Sequence, residues 1–267
     1  MKIKIVIAGA TGRMGHALLE GVFADGELQL HSALDRPENP QIGHDAGEQF
    51  GKNTGVKISS DINAALKGAD VLIDFTRPEA SLNYLEACKN VGVNYVIGTT
   101  GFTVEQKAKI EAASKNIAIV FAPNMSVGVT LLINLVEQAA KVLNDGYDIE
   151  VVEMHHRHKV DAPSGTALRL GEAAAQGLGQ NLKDCAIYAR EGVTGEREAG
   201  KIGFATLRGG DVVGDHTVIF AGVGERVEIT HKASSRATFA LGALRAAKFL
   251  SDKKSGLYDM RDVLALR

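Results

Sequence analysis

The stretch IKIVIAGATGRMG, residues 3 to 15, opens as an aliphatic run rich in β-branched side chains and closes on three glycines at a spacing of three. Such a run, apolar on both parities, is what a strand buried on both faces requires. Gly9, Gly12 and Gly15 follow it at once, and His16 to Ala24 (HALLEGVFA) continues with apolar residues at helical spacing. The glycines therefore sit where a strand feeds a helix. A turn there without Cβ atoms lets the main chain approach a pyrophosphate, while the helix start contributes N–H donors and the positive end of its dipole. Three glycines can also make a tight turn with no ligand, so the reading depends on what lies around them.

Working outward, Leu28 to Leu34 (LQLHSAL) reads as a second strand. It ends at Asp35, about 20 residues beyond Gly15, where dinucleotide folds place an acid against the adenosine ribose hydroxyls. Arg36 comes next. A guanidinium there suits a 2′-phosphate that Asp35 alone would repel, so the pair points to acceptance of both NADPH and NADH, unless Arg36 is only a solvated loop charge. Val71 to Phe75 and Tyr95 to Ile97 read as buried strands with a helix, Ala80 to Asn90, between them. A helix at Val104 to Lys115 precedes a strand at Ile117 to Ala122. Repeated βα units predict an α/β fold with a doubly wound, Rossmann-type parallel sheet. Its ligand edge is formed by the carboxyl ends of the strands, which gathers Thr76-Arg77-Pro78, Gly98-Thr99-Thr100-Gly101 and Ala122-Pro123-Asn124-Met125.

After Asn124 the pattern changes. A long helix, Val127 to Asn144, leads into an extended segment, Tyr147 to Met154. Strands are then predicted at Ala186 to Arg190, Gly203 to Arg208, His216 to Ala221 and Arg226 to His231, the last two joined by the hairpin connection Gly222-Val223-Gly224-Glu225. Few helices separate them, which predicts a second, α+β domain carrying a mixed or antiparallel sheet. Alternation such as VEITH at 227 to 231 leaves one sheet face open, and self-association is the expected use of such a face. Ala237 to Phe249 and Leu257 to Leu266 read as helices returning to the first domain. The expected organisation is residues 1–126 plus 237–267 for dinucleotide binding and 127–236 for substrate binding and oligomerisation.

The chain has 267 residues, 45% of them hydrophobic, enough for two cores, and a formal net charge of −2, without the cationic excess of a nucleic-acid binder. Cys88 and Cys185 lie in unrelated segments with no C-x-x-C spacing, which predicts reduced thiols in a cytoplasmic protein. The apolar start is too brief for a signal sequence or a span, so no membrane partner is expected.

Against that balanced background the loop HHRHKVDAPSGT, residues 155 to 166, concentrates three histidines, Arg157 and Lys159 within five positions. Read as a strand, His155, Arg157 and Lys159 share one face, His156 and His158 the other. Fully extended, His155 and Lys159 would stand about 13 Å apart at roughly 3.3 Å per residue, so acting on one atom requires the chain to curl after His155. Asp161-Ala162-Pro163 suits that bend. Ser164-Gly165-Thr166 then opens a helix, Ala167 to Ala175, with hydroxyls and free N–H groups for a carboxylate or phosphate. Histidines can give or take a proton near neutral pH. The expected ligand is a small dicarboxylate or phosphate. Ser164 as a cap alone, a solvated basic loop and histidine metal ligation are the alternatives. Metal is disfavoured by Arg157 and Lys159 and by the lack of a completing cysteine or carboxylate pair.

The run EMHHRHKVDAPSGTA, residues 153 to 167, resembles the signature loop of the 4-hydroxy-tetrahydrodipicolinate reductases, also called dihydrodipicolinate reductases. GATGRMG at 9–15, DFTRP at 74–78, GTTGF at 98–102 and PNMSVGV at 123–129 match that family in the same order. The resemblance implies NADPH- or NADH-dependent reduction of a cyclic dicarboxylate in the diaminopimelate pathway of lysine biosynthesis, by a cytoplasmic homotetramer assembled through the second domain's sheets. It implies that His155 donates or accepts a proton and Lys159 donates one, while His156, Ser164, Gly165 and Thr166 bind the substrate. It further implies that Gly9, Ala10, Thr11, Gly12, Arg13 and Met14 hold the pyrophosphate, Asp35 and Arg36 the adenosine ribose end, and Gly98, Thr99 and Thr100 with Ala122, Pro123, Asn124 and Met125 the nicotinamide end. The departure from the family pattern is Asp35, shorter than the glutamate many relatives carry. A non-catalytic NADPH-binding regulator and a two-domain dehydrogenase of another substrate are the rival readings.

Overall fold

In the computed structural model, which describes residues 1–267, the opening aliphatic run is strand β1 (Ile3–Ala8) and the glycine turn leads directly into helix α1 (Arg13–Ala24). The chain continues through β2 (Leu28–Leu34), β3 (Ile58–Ser59), α2 (Ile62–Leu66), β4 (Val71–Asp74), α3 (Pro78–Val91), β5 (Asn94–Ile97), α4 (Val104–Ala113) and β6 (Ala118–Phe121). Then come α5 (Val127–Val142), β7 (Asp148–His155), α6 (Gly165–Gly177), α7 (Leu182–Cys185), β8 (Ala186–Ile187), β9 (Ile202–Arg208), β10 (Gly214–Ala221) and β11 (Arg226–Ala233). The last elements are α8 (Ala237–Leu250), β12 (Gly256–Tyr258) and α9 (Met260–Val263). No helix is long and apolar enough to cross a membrane.

Two compact units are present, Met1–Val127 with Arg236–Arg267, and Gly128–Ser235. In the first, seven strands pair in the order β12-β6-β5-β4-β1-β2-β3, every pair parallel. The sheet is covered on both faces. Ile5 and Ile7 of β1 pack into one core with Leu18 and Leu19 of α1 and Ala243 and Leu244 of α8. Val6 and Ala8 pack into the other, with Leu66 of α2, Leu85 of α3 and Ile110 of α4. The strand order reverses direction beside β1, which places the ends of β1 and β4 at the switch point where parallel α/β sheets bind ligands.

The second unit holds a mixed five-stranded sheet, β11-β10-β7-β9-β8, antiparallel across β11-β10-β7 and parallel across β7-β9-β8. On β7 and β10 every second residue is buried, including Ile149, Val151, Glu153 and His155 opposite His216, Val218 and Phe220. Leu132, Val136 and Ala140 of α5 and Ala167, Leu170 and Ala174 of α6 complete that core. The other face is open, with Leu207 exposed on it beside Met154.

Three expectations are corrected. Leu257 to Leu266 is not one helix: residues 256–258 extend the parallel sheet beside β6, and α9 starts only at Met260, where Asp259 supplies a capping box with Asp262. The strand expected at Ala186 to Arg190 stops at Ile187, where its pairing with β9 ends, and Arg190 beyond it forms a two-pronged ion pair with Glu150, at 3.0 and 2.8 Å. Helix α1 starts at Arg13 instead of His16, so Gly15 lies inside it. Strand β3 and helix α2 have no counterpart in the hydrophobic pattern. They are too short to show a period, although Asp61 caps α2 by accepting from Ala64 N at 3.0 Å.

Candidate active site

The turn between β1 and α1 is shaped by its glycines in three different ways. Gly9 has φ +68°, a conformation that favours glycine. Gly12 caps α1 with an extended backbone and no side chain. A Cβ on Gly15 would lie 2.1 Å from the Gly9 carbonyl oxygen, so the third glycine is what lets the helix close onto the turn. Ala10 N donates to Leu34 O at 2.9 Å, Thr11 N to Asp35 Oδ2 at 3.0 Å and Gly12 N to Gly9 O at 3.0 Å. These three contribute shape. The N–H groups of Arg13 and Met14, in the first turn of α1, have no acceptor within the chain and are the donors offered to an anion.

Asp35 closes the other side. It also accepts from the Thr11 hydroxyl at 2.8 Å and from Arg36 N at 2.9 Å. Burial pushes its carboxyl up, and these hydrogen bonds outweigh that and hold it below its ordinary value, so it is ionised. A cavity of about 620 Å³ opens beside the turn, lined by Gly9, Gly12, Asp35, Arg36, Thr76 and Arg77 among others. Arg36 is exposed at its rim. The Thr76 Oγ1 is buried there without a partner, as a wall prepared for a polar ligand would present.

The ends of β4 and β5 are locked by a buried carboxylate. Asp74 accepts from Tyr95 OH at 2.7 Å, from Thr76 N at 2.7 Å and from the Ser81 hydroxyl, which lies 3.0 Å from the Thr99 hydroxyl. Burial, then the Asp74 charge, keeps the Tyr95 phenol protonated. A Cβ on Gly98 would stand 2.2 Å from the Phe75 ring, so only glycine passes there. Thr99 is buried and Thr100 exposed. Ala122 and Met125 are buried, Pro123 is exposed and Asn124 Oδ1 accepts from Ser126 N at 2.9 Å. A Cβ on Gly242 would come within 1.7 Å of the Met125 carbonyl, so α8 pins this segment through its main chain.

In the second unit the basic loop curls as its length requires. Strand β7 ends at His155, and a turn follows in which Lys159 N donates to His156 O at 3.1 Å. His155 is 8% exposed, and its Nδ1 lies 2.5 Å from Oε2 of Glu153, which is 1% exposed. Arg208 grips the same carboxylate with both prongs, at 2.8 and 2.9 Å, and Ser164 N donates to its Oε1 at 2.9 Å. Burial raises Glu153, but Arg208, His155 and Ser164 together hold it below its ordinary value. Ser164 Oγ caps α6 by accepting from Ala167 N at 3.1 Å and lies 3.0 Å from His216 Nε2. Burial, then the neighbouring His155, pushes His216 down to about 4, so this imidazole is neutral at physiological pH.

Gly165 and Thr166 form the first turn of α6, beside that network. Lys159 Nζ pairs with Asp161 Oδ1 at 2.8 Å, and the carboxylate is 57% exposed. Pairs of that kind hold their partners by about 1 kcal/mol at most, so the ammonium is free to move to a ligand. His156 directs a buried, unpartnered Nδ1 inward and packs near His158, with ring centroids 6.2 Å apart. His158 and Arg157 are exposed.

Glu153, Arg208 and His216 were not among the expected site residues. Parity alone could have placed two of them: Glu153 shares the buried face of Ile149, Val151 and His155, and His216 that of Val218 and Phe220. Arg208 carries no such signal, since it reaches the site through the parallel register that sets it beside His155.

The family models described as the N-terminus and the C-terminus of dihydrodipicolinate reductase match residues 3–125 and 128–264. The chain belongs to the dihydrodipicolinate reductase family. Relatives named 4-hydroxy-tetrahydrodipicolinate reductase include one from Thiobacillus denitrificans, 63% identical over 267 residues, and one from Chromobacterium violaceum, 62% identical over 267 residues, each covering 100% of both chains. Among solved structures, a dipicolinate-bound dihydrodipicolinate reductase from a Paenisporosarcina species shares the fold, with a TM-score of 0.76 at 23% identity over 97% of this chain and 98% of that one.

Proposed function

We propose that this member of the dihydrodipicolinate reductase family is an oxidoreductase that reduces 4-hydroxy-tetrahydrodipicolinate to tetrahydrodipicolinate in the diaminopimelate route to lysine. The cofactor is a pyridine nucleotide, which supplies the hydride when bound. The turn geometry suits it: Gly9 and Gly12 give close approach, and Arg13 and Met14 give N–H donors for the pyrophosphate. Asp35 meets the adenosine ribose and Arg36 a 2′-phosphate, so both NADPH and NADH are accepted. Gly98 to Thr100 and Ala122 to Met125 hold the nicotinamide end. The unit built on residues 1–127 and 236–267 binds nucleotide, and the unit at 128–235 binds substrate and assembles the homotetramer, its open sheet face covered by other copies.

His156, Ser164, Gly165 and Thr166 bind a substrate carboxylate at the start of α6, where the positive end of the helix dipole favours an anion. Loss of the substrate's C4 hydroxyl as water leaves an unsaturated cyclic imine; hydride addition at its C4 gives an enamine, which takes up one proton to become tetrahydrodipicolinate. Lys159 and His155 hold that proton, and the cationic loop stabilises the negative charge pushed toward the ring nitrogen. The observation that carries the reading is His155 held by a buried carboxylate one helix cap away from an anion site. The test is loss of reduced-nicotinamide absorbance when substrate is generated in place from pyruvate and aspartate semialdehyde by the preceding synthase, with NADPH and with NADH. Oxidation that requires the synthase is expected. Nucleotide that binds without being consumed would move the reading to a regulator or to another substrate.

A further inference from the structure

Glu153 is hydrogen-bonded to both halves of the proposed substrate site. Its Oε2 faces His155 Nδ1 and its Oε1 accepts from Ser164 N, while Arg208 closes a two-pronged bond onto both oxygens. The carboxylate is buried, and Arg208 is in turn fixed by donating to the carbonyl of Asp161 at 2.7 Å, on the far side of the basic loop. A buried carboxylate with no counter-charge would protonate; bound in this way it stays ionised and accepts only.

We propose that Glu153 is a positioning residue for the reduction, fixing His155 with its proton on Nδ1 and leaving Nε2 as the nitrogen that exchanges a proton with substrate, with Arg208 holding Glu153 for that task. The inference rests on the reading of His155 as a proton-transfer group. Four donors converge on Glu153, so His155 can meet it only through an N–H, and that fixes the tautomer. The position of Nε2 is set from the other side by Gly214, where a Cβ would approach within 3.0 Å of it. The charged and titratable groups facing the imidazole are Glu153 from β7, Arg208 from β9 and His216 from β10, the last with its ring edge-on at a centroid distance of 5.0 Å. Neutral His216 adds no second cation beside His155. Because the same carboxylate anchors the start of α6, the proton site and the anion site keep a fixed spacing.

Two measurements test this. Long-range ¹H–¹⁵N correlation spectra of the histidine-labelled full-length protein, assigned with His155→Gln, are expected to show neutral His155 protonated on Nδ1 at alkaline pH. The Nε2-protonated tautomer would overturn the proposal, and the spectrum needs neither substrate nor a foldable Glu153 variant. In the second, Glu153→Gln must point an amide N–H at one of the converging donors. Its kcat should fall by about 10- to 100-fold, with KM and nucleotide Kd within about threefold of wild type, and Glu153→Asp should recover part of the loss. A Glu153→Gln enzyme with wild-type kcat, or one whose loss lies wholly in KM, would overturn the role. Absence of turnover in the wild type would strike the proposed reaction, and the tautomer would still decide the placement of His155.

Discussion

The glycine turn after β1 and the carboxylate cluster of the second sheet both prepare a place for charge, but they are assembled from different material. In the turn the contacts run between neighbours in sequence or between adjacent strand ends, and what they require is chiefly the absence of Cβ atoms. In the cluster the partners of Glu153 stand 2, 11 and 55 residues away, and what they require is side-chain charge and the placement of individual hydrogens. The first region should therefore be sensitive to volume and tolerant of chemistry, the second the reverse. Substitutions chosen for each can break that contrast.

The largest effect is expected at Lys159. Its Asp161 partner is exposed, so Lys159→Ala removes little stability, while under the proposed role as proton donor its loss costs about 10²- to 10⁴-fold in turnover. Nucleotide affinity should be unchanged, since the donors of the turn lie in the other unit. A comparable fall in turnover and in NADPH affinity, measured by kinetics and by titration, would deny that the two regions work independently.

His216 sharpens the contrast through pH. Its ordinary value is 6.5 and the fold lowers it to about 4, through burial, His155, His231 and Lys159 acting against Glu153. The depressed value means that the contribution to stability is complete above 6.5 and is lost as pH falls toward 4, because the unfolded chain then binds a proton that the folded one refuses. The shift corresponds to about 3 kcal/mol at the acid end. His216→Gln should flatten the acid limb of thermal stability by that amount. Parallel curves for the two proteins between those pH values would mean that His216 is not held neutral.

The same contrast explains what could be read without the structure. The strand–glycine–helix unit, the βα alternation and the parallel sheet were legible because their signals are local: β-branched runs, spaced glycines and helical periods. The basic loop was legible as a candidate site because its charges are consecutive. The grip of Arg208 on Glu153 was hidden, since it depends on β9 pairing parallel to β7 so that Arg208 stands beside His155. The strand Gly256–Tyr258 was hidden for a related reason: three residues carry no period, and only the free edge of β6 makes them a strand.

A volume test of the turn comes next. Gly15→Ala puts a methyl 2.1 Å from a carbonyl oxygen that cannot move without displacing the Gly9 turn. Overpacking of this kind costs about 1–3 kcal/mol. Thermal stability and nucleotide affinity should both fall, with the His155 tautomer unchanged. Wild-type affinity in a Gly15→Ala protein would show that the helix can back away from the turn, and that closeness there is not what the site needs.

The smallest effect isolates chemistry within the region otherwise ruled by shape. Asp35 already accepts two hydrogen bonds on Oδ2 and one on Oδ1, so its remaining capacity suits one ribose hydroxyl better than two, and its charge opposes a 2′-phosphate. Arg36, exposed at the cavity rim, is the group proposed to reverse that opposition. Exposed charge pairs are weak, but a guanidinium on a phosphate gains two parallel hydrogen bonds, and a difference of about 1.4 kcal/mol, roughly tenfold, is reasonable. Arg36→Ala should therefore raise the Kd for NADPH about tenfold and leave that for NADH nearly unchanged. Equal loss for both nucleotides would assign Arg36 to the wall of the cavity. Discrimination between them would then have to come from Asp35 and from Arg77, the other arginine lining that cavity.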